Sequence, residues 1–147
     1  YTGRKRWFMM GLSAGYHNLD DFRSGKRPCG ANETFWLEQE ERMFAIFRRV
    51  TELGLLPVCG TDAGTGGTRF DETWLELALM VRRGGLSEKE AIHIGTLQSA
   101  ACLGLENQTG AIREGLSADL MTLEEDPFTH IEALAHPAQV ICRGELV

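Results

Sequence analysis

The chain has 147 residues, of which 43% are hydrophobic and 24% charged. That balance suits one ordinary globular domain with a real core and excludes a disordered or fibrous protein. The net charge of −6 leaves no electrostatic footprint for nucleic acid, and Arg4-Lys5-Arg6 reads as a short solvated cluster. No apolar run approaches the roughly 20 residues of a membrane span, and no signal peptide is visible. The four cysteines, Cys29, Cys59, Cys102 and Cys142, form no Cys-x-x-Cys pair. They read as free thiols of a reducing, cytoplasmic setting rather than as a metal site.

Trp7 to Leu12 has the length and apolarity of a buried strand. Residues 13–31 are rich in Gly, Asn, Asp, Ser and Pro and predict a long loop. Asn32 is a suitable N-cap for a long helix carrying Phe35, Trp36, Met43, Phe44, Ile46, Phe47 and Val50 at helical spacing, with Gly54 as its stop. Leu55-Leu56-Pro57-Val58-Cys59 predicts a short strand, although Pro57 cannot donate to a central ladder. It runs into Gly60-Thr61-Asp62-Ala63-Gly64-Thr65-Gly66-Gly67. A second helix is predicted over about Asp71 to Arg83, ended by Gly84-Gly85. Ser87-Glu88-Lys89-Glu90 is a capping box that opens a third, and Thr96 is a candidate cap for a fourth, stopped by Gly104.

From residue 106 the turn signals crowd together. Leu120–Leu123 and Gln139–Cys142 are strand-like, and a helical turn near Thr129 to Leu134 separates them. Arg143-Gly144 is a turn before a last strand, Glu145-Leu146-Val147. The order predicts an α/β body with a small β appendix. A strand that ends in Gly-Thr-Asp-Ala-Gly puts the Asp62 carboxylate at the C-terminal edge of a sheet or barrel, where α/β folds build their sites.

Several stretches then resemble one family in the right order. Pro57-Val58-Cys59-Gly60-Thr61-Asp62-Ala63-Gly64 is similar to the eighth barrel strand and its loop in the amidohydrolase superfamily. Glu76-Leu77 and Gly84-Gly85-Leu86-Ser87-Glu88-Lys89-Glu90-Ala91 resemble its next helix boundary. Thr96 to Gly104 resembles its Thr-x-x-x-Ala-x-x-x-Gly helix. Gly110-Ala111-Ile112-Arg113-Glu114-Gly115-Leu116-Ser117-Ala118-Asp119-Leu120 resembles Gly-x-Ile-x-x-Gly-x-x-Ala-Asp-Leu, and Val140 to Val147 resembles the closing hairpin. The likeness covers residues 53–147 and points to the imidazolonepropionase-like and prolidase-like branches. Residues 1–52 match only loosely.

The resemblance implies the C-terminal portion of a (β/α)₈ TIM-like barrel followed by part of a small β-rich composite domain. Residues 1–105 would be the last barrel strands and helices, and 106–147 the strands of the β domain. It implies a hydrolase of carbon–nitrogen bonds in non-peptide, cyclic or dipeptide-like amides or amidines. The cofactor would be a divalent metal, zinc by default, as one or two ions. The partners would be a small-molecule substrate and the remaining N-terminal part of the same enzyme. Asp62 maps onto the family's metal ligand and proton shuttle: a carboxylate beside a cation stays ionised and can take the proton of an activated water. Family ligands from the earlier strands, a His-x-His pair, a Lys or Glu and two further His, have no counterpart here. The chain alone is expected to be inactive, as a fragment of the enzyme. Oligomeric state stays open.

Arg69 and His17 are the substrate-binding candidates, the first as a partner for a carboxylate. Bland readings stand beside all three: Asp62 as an Asx-turn former, Arg69 as a surface charge, His17 as a solvated loop residue. His93 is expected to pack structurally, His130 and His136 to lie away from any site, and Asp119 to serve a turn. The glycines after Cys59 lack the Lys-Ser/Thr of a phosphate loop. A different class also remains: a non-catalytic interaction or assembly domain that kept the fold. A His-x-His upstream would discriminate between them.

Overall fold

The computed structural model describes residues 5–25, 33–64 and 68–147. Two strands, β1 (Trp7–Met9) and β2 (Leu56–Val58), pair in parallel with Phe8 opposite Pro57. Between them run α1 (Leu12–Arg23) and α2 (Glu33–Glu52). Leu56 N donates to Arg6 O on the β1 side, so the imide nitrogen of Pro57 falls on the opposite edge, where no ladder donor is required. The Pro57 carbonyl on that edge accepts from Gln98 Nε2 at 2.5 Å, and Cys59 N donates to Ser99 Oγ at 3.1 Å.

The loop expected over 13–31 is overturned as far as residue 25, because α1 occupies Leu12–Arg23; residues 26–32, including the Asn32 cap, lie outside the described residues. Leu12, Tyr16 and Leu19 recur at helical spacing, and Leu12 and Leu19 are buried. The turn formers concealed this stripe, yet one of them serves the packing. A Cβ on Gly15 would stand 2.8 Å from Met43 Sδ, so glycine lets α1 approach α2.

α3 (Thr73–Arg82) is the central helix: every residue from Leu75 to Met80 is buried. It packs on α1, on α4 (Glu88–His93) and on a 3₁₀ helix (Ile131–Ala135). The core joins Leu12, Phe44, Phe47, Leu77, Met80 and Ile131, with the last reaching in from the β-rich end. Two glycines stop α3 for different reasons. Gly85 has φ 82° and takes the left-handed turn, whereas a Cβ on Gly84 would lie 2.4 Å from Met80 O and 2.8 Å from Phe47 Cε1. Glu40, 3% exposed, ties the layers together. Arg23 Nη2 sits 3.0 Å from it and Arg83 Nη1 3.5 Å.

The capping box forms as the sequence predicts: Ser87 Oγ accepts from Glu90 N at 3.3 Å and Ser87 N donates to Glu90 Oε2 at 2.8 Å. The Ser87 hydroxyl also donates to Glu90 Oε2 at 2.6 Å, and this bond, with that of the Ser87 amide, holds the Glu90 carboxyl below its usual range. Ser87→Ala should cost about 1 kcal/mol, read as a shift of the urea midpoint at unchanged slope. Thr96 caps nothing. α4 runs through a π-helical turn (Ile94–Gln98) into α5 (Ser99–Leu103), and Thr96 Oγ1 donates back to Ile92 O at 2.7 Å inside this continuous helix. His93 is exposed rather than packed.

A separate antiparallel sheet runs β3 (Leu120–Thr122), β4 (Gln139–Cys142), β5 (Glu145–Leu146). Arg143 (φ 52°) and Gly144 (φ 86°) close its two-residue hairpin. Asp119 holds that hairpin. Its Oδ1 accepts from Arg143 N at 2.9 Å and its Oδ2 from Thr109 Oγ1 at 3.2 Å.

Candidate active site

The C-terminal ends of β1 and β2 lie side by side, and the chain leaves each in a different way. After β1 it passes through Met10 and Gly11 straight into α1. After β2 it turns at Gly60-Thr61-Asp62. Gly11 rests against that turn: a Cβ there would meet Gly60 O at 3.7 Å and Thr61 O at 3.8 Å. Asp62 is exposed and has φ 54°. Asp is one of the few non-glycine residues that visits the left-handed region, through its short polar side chain. Such conformations cluster where a site over-determines the backbone. The turn is closed further on by Gly64 N donating to Thr68 O at 3.0 Å.

His17 and Arg69 meet around one carboxylate that the sequence reading did not single out. Glu72 Oε2 lies 2.9 Å from His17 Nε2 on α1 and accepts from Arg69 N at 3.0 Å. This clamps the segment after Asp62 to α1. His17 is thus a helical, partly buried residue rather than a solvated loop one. The Arg69 guanidinium is engaged by both oxygens of Asp71, at 2.9 and 2.6 Å. Its side-chain hydrogen bond holds the Asp71 carboxyl below the usual carboxylate range. Glu72 carries no local motif, so only the fold reveals it.

The strand pair also lines an apolar groove of about 400 Å³ with Trp7, Met9, Val58, Cys59 and Cys102. Burial, and then the nearby Glu76 carboxylate, push the Cys59 thiol up to about 12. A second cavity of about 440 Å³ opens beside Trp74, Glu124, His130 and His136. There His130 is held between Glu125 (2.6 Å) and Glu132 (3.3 Å), a structural pairing remote from the Asp62 turn in sequence. Among the described residues no three His, Cys, Asp or Glu side chains cluster to hold an ion.

Paired parallel strands with an acidic turn at their C-terminal ends, backed by helices, define an α/β protein, and in such folds that edge is where sites are generally built. The chain belongs to the amidohydrolase family, whose pattern matches residues 38–147. It is 35% identical over 95 residues to the ochratoxinase of Aspergillus niger, covering 64% of this chain and 19% of that protein. It is 32% identical over 98 residues to the imidazolonepropionase of Kosmotoga olearia, covering 67% and 23%. A crystal structure of a candidate prolidase from Bifidobacterium longum superposes with a TM-score of 0.80 at 34% identity, covering 96% of this chain and 35% of that one. The chain therefore spans about a fifth to a quarter of the length of these curated relatives. Among the described residues no helix is long and apolar enough to cross a membrane.

Proposed function

We propose that the chain is the C-terminal part of a metal-dependent hydrolase of carbon–nitrogen bonds, with Asp62 as metal ligand and proton shuttle. Residues 1–105 would close a (β/α)₈ barrel and residues 106–147 would belong to its small β domain. The observation that carries the reading is the Asp62 carboxylate itself, presented on a left-handed turn at the C-terminal end of a parallel strand. The relatives named ochratoxinase and imidazolonepropionase support a hydrolase acting on a small amide-type molecule.

An exposed carboxylate on a tied turn is a fitting oxygen ligand for a divalent cation, zinc by expectation. When bound, such an ion supplies Lewis acidity and lowers the pKa of water beside it. Asp62 takes the proton of the attacking water and afterwards gives it to the leaving nitrogen, so the proton count closes. Arg69 and His17 would contact substrate only by giving up Asp71 and Glu72. The other metal ligands come from the upstream polypeptide, which with substrate is the expected partner.

The metal assignment is tested by zinc titration. The isolated chain offers one likely ligand where a catalytic site needs about three protein ligands, so it should bind zinc no more tightly than about micromolar. The complete polypeptide should hold zinc stoichiometrically through dialysis. Tight zinc on the isolated chain, or a complete, active polypeptide without metal, would defeat the proposal.

A further inference from the structure

Glu76 is fully buried in the middle of α3, and the chemistry above makes no use of it. Its Oε1 accepts from Leu12 N at 3.0 Å and its Oε2 from Ser13 N at 2.8 Å. These are the opening amides of α1, which have no carbonyl partner within their own helix. A carboxylate 64 and 63 residues away in sequence thus supplies the cap that Gly11, which has no side chain, cannot. The negative charge also meets the positive end of the helix. Burial pushes the Glu76 carboxyl up, and the hydrogen bonds from Ser13 and Leu12 pull it back.

A buried carboxylate is a poor choice for stability alone, since an apolar side chain avoids the desolvation. What Glu76 does hold is the first turn of α1. α1 follows β1 after two residues, and the second of these, Gly11, lies against the backbone of Gly60 and Thr61. α3, which carries Glu76, starts where the Asp62 loop ends, and Glu72 at its head holds His17 of α1. Movement of the α1 start is therefore movement of the surface on which the Asp62 turn rests.

We propose that Glu76 is a positioning residue of the Asp62 site: by accepting the Leu12 and Ser13 amides it holds the start of α1, and through Gly11 the Asp62 turn, in register. The role in catalysis rests on the function proposed above, whereas the role in placing α1 does not.

The test uses the complete polypeptide with Glu76→Gln. The side chain keeps its shape, but its amide group turns a donor toward one of the two donors it must satisfy. Hydrogen exchange at Leu12 and Ser13 should accelerate at least about tenfold, with the α2 amides around Phe44 and Phe47 still protected. kcat should fall about ten- to a hundredfold with KM nearly unchanged, as for a small misplacement of a reacting group. Glu76→Asp keeps both acceptors and should recover part of both effects. It also carries the measurement if the Gln variant does not fold.

Unchanged exchange at Leu12 and Ser13 would overturn the proposal. So would fast exchange there with full kcat, or loss of protection throughout α2 in both variants. Asp62→Asn run in parallel separates the two ideas. If it keeps full activity, the reading of the site falls, while the local exchange result still reports on Glu76. If it loses activity and Glu76→Gln does not, only the positioning role falls.

Discussion

Asp62→Asn in the complete polypeptide should lower kcat by at least about 10²-fold, the lower range for a lost acid/base group, and leave stability within about 0.5 kcal/mol. Asn has nearly the same shape and can still offer an oxygen to a metal, but it cannot take a proton from water. The backbone gives no reason for a structural penalty. Asp62 sits at φ 54°, and Asn tolerates that region as well as Asp does. The side chain is exposed, so no packing is lost. A turn-forming Asp makes the opposite forecast, because Asn would replace it without consequence. Steady-state kinetics on an amide substrate, with metal content measured alongside, decides between the two. More than half the activity at full metal occupancy would end the catalytic assignment.

Phe47→Ala should cost about 3–5 kcal/mol, the usual loss for a fully buried aromatic ring. Phe47 is 1% exposed and joins three elements. It lies edge-on to Phe8 of β1 with centroids 5.7 Å apart, and its Cε1 fills the space where a Cβ on Gly84 would sit. The cavity opened by truncation has few neighbours free to collapse into it, because Gly84 and the end of α3 are held by backbone hydrogen bonds to Leu79 O. Ile112→Ala is the matched control. Ile112 is 92% exposed, so its loss should stay within about 0.5 kcal/mol. Urea unfolding of both variants gives the comparison, and a Phe47 effect below 1 kcal/mol would show that the α2–β1 contact is not part of the core.

Much of the layout was legible in the residues because the forces that set it are local. The Ser87–Glu90 box closes over three residues, the Gly84-Gly85 stop follows from backbone sterics, and Arg143-Gly144 is a two-residue turn between strand-like runs. In the same way Asp62 could be singled out, since a strand, a glycine-rich turn and a carboxylate are adjacent in sequence. The family likeness came from ordered short motifs of the same local kind.

What the sequence could not reveal was long-range. α1 looked like a loop because turn formers crowd its sequence, and because Gly11, at its cap position, has no side chain while the cap comes from Glu76, more than sixty residues on. Thr96 looked like a cap, yet the helix runs through it as a π turn, and Gln98 at the end of that turn and Ser99 just after it serve the edge of β2. Arg69 and His17 looked available, and the fold engages them with Asp71 and Glu72. By itself the sequence determined the strands, stops and turns, and the acidic turn after β2, whose causes span only a few residues. Only the tertiary structure decided which buried carboxylate starts α1 and which side chains around Asp62 are already paired, because those bonds join residues that only packing brings together.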